Sequence, residues 1–134
     1  MQRCIELKHR FLYRFRVSMA SNGLLYFTEP VQRFIKKYKD FLSITISIDG
    51  NKELHDACRF DIEGNGTYDR ALAAAMDLQK YSKSLETKMT LSPNNINYMF
   101  DAVLNLISLG YVSISLNCIF EEGWDISHAK TLYI

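Results

Sequence analysis

The sequence predicts an α/β fold of about four parallel strands, with helices on the outer face of the sheet. Residues 43–49 place Ile44, Ile46 and Ile48 on one side and small polar side chains on the other. Residues 112–118 alternate in the same way. Helical stretches separate these strands, and a parallel sheet is ordinarily apolar on both faces. One apolar and one polar face therefore predict outer helices around a polar, ligand-holding concavity.

Composition and charge limit the class of protein. Hydrophobic residues make up 48% of the 134 residues and charged residues 23%, which is typical of one soluble domain over residues 1–134. The net charge of +1 favours neither nucleic acid nor an anionic membrane as a partner. Apolar runs are far shorter than the ~20 residues that span a bilayer, and no signal-peptide core is present. Three widely spaced cysteines fit a reduced, cytoplasmic setting.

The first half of the chain is predicted to alternate between helix and strand. The predicted elements are a helix tail at 2–10, a strand at 13–20, a helix from Thr28 to Tyr38, a strand at 43–48 and a polar loop from Asp49 to Gly66. A turn at 21–23 ends the first strand. Thr28 suits an N-cap because Glu29 and Pro30 follow in the first helical turn.

The second half continues the alternation. The predicted elements are a helix from Tyr68 to Tyr81, a strand at 88–92, a helix capped by Asn94 or Asn95 and stopped by Gly110, a strand at 112–119, a loop at Glu121–Trp124 and a helix start near Asp125. The inward side of the third helix is predicted to carry Ile96, Met99, Phe100, Val103, Leu104 and Ile107. Because the pattern begins and ends within helices, we expect an internal piece of a larger fold, with two edge strands.

Two adjacent runs, ISIDGNKELHDACR and GNGTYDRAL, carry a family resemblance. They resemble the middle of radical S-adenosylmethionine (radical SAM) enzymes, in the branch of anaerobic sulfatase-maturating enzymes and peptide maturases. In that branch a strand ending in Asn-Gly, here at 21–23, precedes a strand ending in S-x-D-G. An H-x-x-x-R-like segment and an aromatic-Asp/Ser helix start follow in the same order here. The resemblance covers the chain from the tail of the second barrel helix to the sixth strand and the start of the next helix.

The resemblance implies a six-stranded partial (β/α) barrel that holds S-adenosylmethionine and a four-iron four-sulfur (4Fe-4S) cluster at the carboxyl ends of its strands. The family's CxxxCxxC cluster motif and its GGEP-type stretch are absent from this sequence. Cys4, Cys58 and Cys118 lie 54 and 60 residues apart and bear no relation to the cluster motif. We therefore expect a partial-barrel fragment whose cluster ligands are missing and which is inactive by itself.

Six residues are predicted to contact the cofactor, none is identified as catalytic, and none is predicted to bind metal. They are Ser47, Arg59, Asn22, Asp49, Ser92 and Asn117. Ser47 ends a strand on the polar side, where a hydroxyl suits the carboxylate or ribose of S-adenosylmethionine, although a small barrel-lining residue is the alternative. Arg59 matches the family arginine that pairs with the methionine carboxylate, and a solvated loop arginine is the alternative. For Asp49 and Asn22 two interpretations remain open, turn formation and ligand contact.

The remaining candidates are divided in the same way. Strand parity points Ser115 and Asn117 into the concavity, where they meet adenine or substrate or simply fill the barrel. Ser92 is divided between a strand-to-helix turn and a cofactor contact. His55 is interpreted as a residue that orders the chain through hydrogen bonds, since no second ligand stands nearby. Ser47, Thr90, Ser115 and Asn117 are expected to line one concave face.

Two functions from different classes remain open on the sequence. The first is a fragment of a radical SAM enzyme, which would cleave S-adenosylmethionine to a 5′-deoxyadenosyl radical and modify a peptide or protein substrate. The second is a stand-alone α/β module that binds a small molecule without catalysis. An in-frame CxxxCxxC in the DNA upstream of Met1 would favour the first function. A stop codon and a ribosome-binding site there would favour the second.

Overall fold

The computed structural model of the chain describes residues 1–11, 16–82, 84–120 and 123–133. The strands are β1 (Val17–Ser21), β2 (Leu42–Ile46), β3 (Leu85–Leu91) and β4 (Tyr111–Cys118). The helices are α1 (Gln2–Phe11), α2 (Glu29–Tyr38), α3 (Lys52–Cys58), α4 (Tyr68–Leu78), α5 (Met99–Ser108) and α6 (Ile126–Leu132), with a 3-10 turn at Ile96–Tyr98 before α5. The predicted residues 13–15, Glu121 and Glu122 lie outside the described part.

The strands pair in parallel, as the alternation of helix and strand predicts. β1 pairs with β2 from Val17 opposite Leu42 to Ser21 opposite Ile46. β3 pairs with β4 up to Leu91 opposite Cys118, with one irregularity near the start of β3. The hydrogen-bonded ladders thus form two sheets of two strands each, and they do not extend into the expected row of four.

One threonine side chain joins the two sheets. Thr87 Oγ1 in β3 donates a hydrogen bond to Ile46 O at 2.9 Å, and Ile48 N donates to Thr87 Oγ1 at 2.9 Å. Thr87 is fully buried, so its hydroxyl occupies the place that a backbone ladder between β2 and β3 would take. Sequence periodicity cannot predict that the Thr87 side chain bridges two strands, because this role depends on which residues lie beside it in the folded chain.

The apolar core lies between the sheets and α4. Ile46 and Ile48 are fully buried, and Ala71, Ala74 and Ala75 of α4 pack in the same cluster. Alanines let the helix backbone approach the sheet closely, and they spare the side-chain entropy that longer residues lose. On the other side of β3 and β4 the side chains reach solvent, as expected for the polar face, and they are Glu86, Lys88, Ser113, Ser115 and Asn117.

The predicted loop from Asp49 to Gly66 was wrong in part, because it contains α3. Asn51 is the N-cap of this helix, and its side chain accepts a hydrogen bond from Leu54 N at 2.9 Å. Only a few of the seven residues of α3 are apolar, which is too few to show helical periodicity. Capping and burial of His55 therefore stabilise a helix that the pattern of hydrophobic residues does not reveal.

The predicted inward face of α5 was also wrong in part. Ala102 and Leu106 are its buried residues, whereas Phe100, Leu104 and Ile107 are exposed, Phe100 by 69%. The preceding turn is 3-10, with about three residues per turn, so the phase extrapolated from Ile96 does not continue into the α-helix. Gly110, with a φ of 90°, ends the connection after α5 as predicted. No helix in the described ranges has the length and apolar character that crossing a membrane requires.

Candidate functional site

The carboxyl ends of the four strands carry most of the residues predicted to contact the cofactor. Asn22 follows β1 directly, Ser47 follows β2, and Ser92 follows β3. Asn117 lies one residue before the end of β4. Parallel strands present ligands at this end, because backbone and loop groups converge there.

Asp49 is the centre of the polar contacts at this end. The residue is only 1% exposed. Arg59 donates from Nε to Asp49 Oδ2 and from Nη2 to Asp49 Oδ1, the second bond measuring 3.1 Å. Thr90 N donates to Asp49 Oδ1 at 2.8 Å. The carboxylate therefore joins the segment after β2 to β3 and holds the guanidinium in a two-point contact.

Arg59 is fixed at both its backbone and its side chain. Its N–H donates to His55 O at 2.8 Å, and its carbonyl accepts from Thr67 Oγ1 at 3.0 Å. Nη2 also donates to Thr90 Oγ1 at 3.2 Å. The side chain is 26% exposed, and within the described ranges Nη1 makes no hydrogen bond. The guanidinium thus keeps one amino group for a further acceptor.

His55 supports this arrangement from beneath, in the interior. It is 1% exposed; Nδ1 accepts from Asp49 N at 3.2 Å and Nε2 lies 3.1 Å from Thr67 Oγ1. An imidazole that accepts at Nδ1 while neutral carries its proton on Nε2, so Nε2 donates to Thr67 and the Thr67 hydroxyl donates onward to the Arg59 carbonyl. Burial lowers the pKa of His55, which favours this neutral form.

Acid is expected to destabilise the protein through His55. The folded pKa of His55 lies below its ordinary value of 6.5, so its contribution to the free energy of unfolding is complete above that value and is lost as pH falls through the folded pKa. The free energy of unfolding should therefore decrease as the pH falls below ~6.5. Urea unfolding between pH 8 and 5 measures it. His55→Asn should flatten this dependence on pH; an undiminished dependence in the variant would contradict the assignment to His55.

In the described part of the chain, the other predicted residues form no hydrogen bond to the Asp49–Arg59 pair. Asn117 is the ladder partner of Thr90, so the two share the polar face. Asn22 Oδ1 accepts from Leu24 N at 3.2 Å, a turn-forming contact. Ser47 is buried, and its backbone N–H bonds to Ser21 O beside Asn22.

Ser92 begins a turn that Asn95 closes. Ser92 N donates to Asn95 Oδ1 at 2.8 Å, and Asn95 Nδ2 donates to Thr90 O at 3.1 Å. The sequence predicted Asn94 or Asn95 as a helix cap, and Asn95 is the N-cap residue of the 3-10 turn before α5, although its side chain bonds back to the end of β3 and not to the turn. Sequence reasoning also missed Thr67, which lies twelve residues beyond its partner His55 and carries no local signal of that contact.

The described residues do not fit an iron–sulfur cluster. No group of three or more His, Cys, Asp or Glu side chains in them is arranged to hold a metal ion. A four-iron cluster needs several thiolates in one place, and the three cysteines of this chain stand free of disulfides on α1, α3 and β4. The polar end of the sheet is suited instead to an organic anion, through the free amino group of Arg59.

Comparison with known proteins identifies the fold. No family model and no curated protein matches the sequence. Solved structures of anSMEcpe do match, and anSME denotes an anaerobic sulfatase-maturating enzyme of the radical SAM superfamily. Native anSMEcpe with bound AdoMet and Cp18Cys peptide has a TM-score of 0.72 at 19% identity. Histidine-tagged anSMEcpe with bound AdoMet has the same values, and the native form with AdoMet and Kp18Cys peptide has 0.71 and 20%.

The similarity extends over 95% of this chain. It extends over only 36% of native anSMEcpe and 34% of the tagged form, so the chain spans about a third of these proteins. At 19% to 20% identity the likeness shows the fold alone: this chain folds as the matching third of anSMEcpe does.

Proposed function

We propose that this chain is part of a radical SAM enzyme that acts on a peptide or protein, and that it binds the methionine carboxylate of AdoMet through Arg59. The observation that carries the proposal is the position of Arg59 at the carboxyl end of the sheet, with Nη1 free of bonds to the described residues. A guanidinium at such a site is a strong partner for a carboxylate.

Neighbouring side chains suit the rest of the ligand. Ser47 offers a buried hydroxyl close to the same strand end, which is suited to a second carboxylate oxygen or a ribose hydroxyl. Asn117 is exposed beside Thr90 and offers both a donor and an acceptor to an adenine edge. The fold shared with AdoMet-bound structures supports the choice of AdoMet over other carboxylates.

The proposal gives this chain the task of binding and orienting the cofactor. Its own residues do not fit the cluster, so electron delivery is assigned to other parts of the enzyme. A peptide or protein substrate is supported by the peptide bound in two of the similar structures. The exposed polar face of β3 and β4 is the surface of this chain that would meet it.

An NMR titration with AdoMet tests the proposal. Because this chain offers only part of a site, we expect a dissociation constant on the order of 1 mM. Amide shifts should saturate and concentrate at Ser47, Asp49 and Asn117. Arg59→Lys keeps the charge but removes the fork, and it should weaken binding about tenfold.

Arg70→Lys is the matched control, since Arg70 pairs with Asp61 and forms no hydrogen bond to the predicted site residues in the described part of the chain. It should leave the AdoMet titration unchanged. Circular dichroism would confirm that both variants keep the fold. Shifts that do not saturate, or equal weakening by Arg59→Lys and Arg70→Lys, would refute AdoMet binding at Arg59 and would leave the non-catalytic module as the better account.

A further inference from the structure

We propose that Asp49 and Thr90 are positioning residues that restrict Arg59 to contact a ligand carboxylate through Nη1 alone. The inference rests on the proposed function, because it concerns how the same site reads a carboxylate. It follows from which N–H groups of the guanidinium are already engaged. The sequence left Asp49 open between a turn former and a ligand contact. The proposal gives it a third role, the positioning of Arg59.

The guanidinium has five N–H donors in a fixed plane. Nε and one Nη2 hydrogen are taken by the two oxygens of Asp49. The other Nη2 hydrogen is directed to Thr90 Oγ1. A guanidinium can grip a carboxylate with two N–H groups either through Nε and Nη2 or through Nη2 and Nη1. Asp49 takes the first pair, and Thr90 takes the Nη2 hydrogen of the second. A ligand carboxylate therefore reaches only the two hydrogens of Nη1.

Asp49 itself is held firmly. It is almost fully buried, and Thr90 N bonds to the same oxygen that receives Nη2. Its backbone N–H is bonded to His55 Nδ1, and the backbone of Arg59 is bonded to His55 and Thr67. The plane of the guanidinium is thus set by bonds at several points, and its direction does not depend on the ligand.

Asp49 could act on the ligand in two ways: by offsetting the positive charge of Arg59 or by setting the direction of its guanidinium. A substitution of Asp49 distinguishes the two. If Asp49 only lowers the positive charge at the site, Asp49→Asn should tighten the binding of any carboxylate ligand. If Asp49 sets the direction of Arg59, the same variant should loosen the guanidinium and reduce the advantage of a ligand that carries the carboxylate.

The probes are AdoMet and decarboxylated S-adenosylmethionine, which lacks only the carboxylate. In the unaltered chain the ratio of their dissociation constants should be about tenfold in favour of AdoMet. Asp49→Asn should lower the ratio to about twofold and should broaden the Nε–H resonance of Arg59 in NMR spectra.

Thr90→Val should act in the opposite direction. It removes the hydroxyl but keeps the backbone N–H on Asp49, and it frees one Nη2 hydrogen next to Nη1. A carboxylate can then bind by two points, so the ratio should rise about three- to tenfold. Because valine matches the shape of threonine, this variant tests the inference even where Asp49→Asn fails to fold. Glu29→Gln, in the exposed Glu29–Arg33 pair of α2, is the control and should leave the ratio unchanged.

The outcomes separate the two proposals. AdoMet binding that depends on Arg59, combined with a ratio that neither Asp49→Asn nor Thr90→Val alters, overturns the positioning roles and leaves the proposed function standing. Tighter AdoMet binding in Asp49→Asn, with a ratio that rises in favour of AdoMet, is the result expected of a charge effect alone and also overturns them. Absence of saturable AdoMet binding in the unaltered chain overturns both.

Discussion

Replacing Gly50 with alanine is expected to cost about 3 kcal/mol or more in the free energy of unfolding. Gly50 has a φ of 100°, a backbone conformation that strains any residue with a Cβ. A Cβ at this position would lie 2.5 Å from Ala102 Cβ and 2.9 Å from Ala102 Cα. Ala102 is buried in α5, so the loop cannot relieve the clash without moving a helix.

Gly64→Ala is the matched control for this substitution. Gly64 also has a positive φ, 84°, but no atom outside its own neighbours lies within 4 Å of an added Cβ. It should cost only about 1 kcal/mol, which is the backbone strain alone. Urea unfolding of both variants separates the strain from the clash. Equal losses in the two variants would mean that α5 does not approach Gly50 as closely as the structure shows.

Alternation along the chain made the strands predictable and their faces in part, since Val112 and Leu116, on the predicted apolar side of β4, are exposed. A period of two sorts side chains by face whatever lies around them, so the pattern at 43–49 is enough to bury Ile46 and Ile48. The same parity places Thr90 and Asn117 side by side on the polar face. Parallel direction followed from the helices between strands, and it brings the strand ends to one side of the molecule.

Contacts between residues distant in sequence were not predictable in this way. Arg59 was chosen for a ligand, but its first partner is Asp49, also among the predicted site residues. Nothing in either residue's local sequence predicts that they pair. The helix α3 escaped detection because an N-cap and a buried His55 stabilise it in place of an apolar stripe. The residues were identifiable as candidates, whereas their arrangement depends on the folded chain.

The second large effect is expected from Thr87, whose hydroxyl links β2 to β3. Thr87→Val removes one hydroxyl and leaves Ile48 N–H and Ile46 C=O buried without their shared partner. Each unsatisfied buried group costs about 1–3 kcal/mol, so the free energy of unfolding should fall by about 2–4 kcal/mol. Valine has nearly the shape of threonine, so a loss of packing contributes little. Urea unfolding monitored by circular dichroism measures the change.

Thr87→Ser provides the matched comparison, since it keeps the hydroxyl and removes the methyl group. Its cost should be about 1 kcal/mol, the value for one buried methyl group. The order of stability is therefore expected to be the original chain, then Thr87→Ser, then Thr87→Val. If Thr87→Val proves as stable as Thr87→Ser, the two sheets are held together by apolar packing, and the hydroxyl contributes little to the link. If the expected order holds, the Thr87 hydroxyl takes the place of a backbone ladder where β2 meets β3, and the Asp49 carboxylate adds a second side-chain link to the backbone of Thr90.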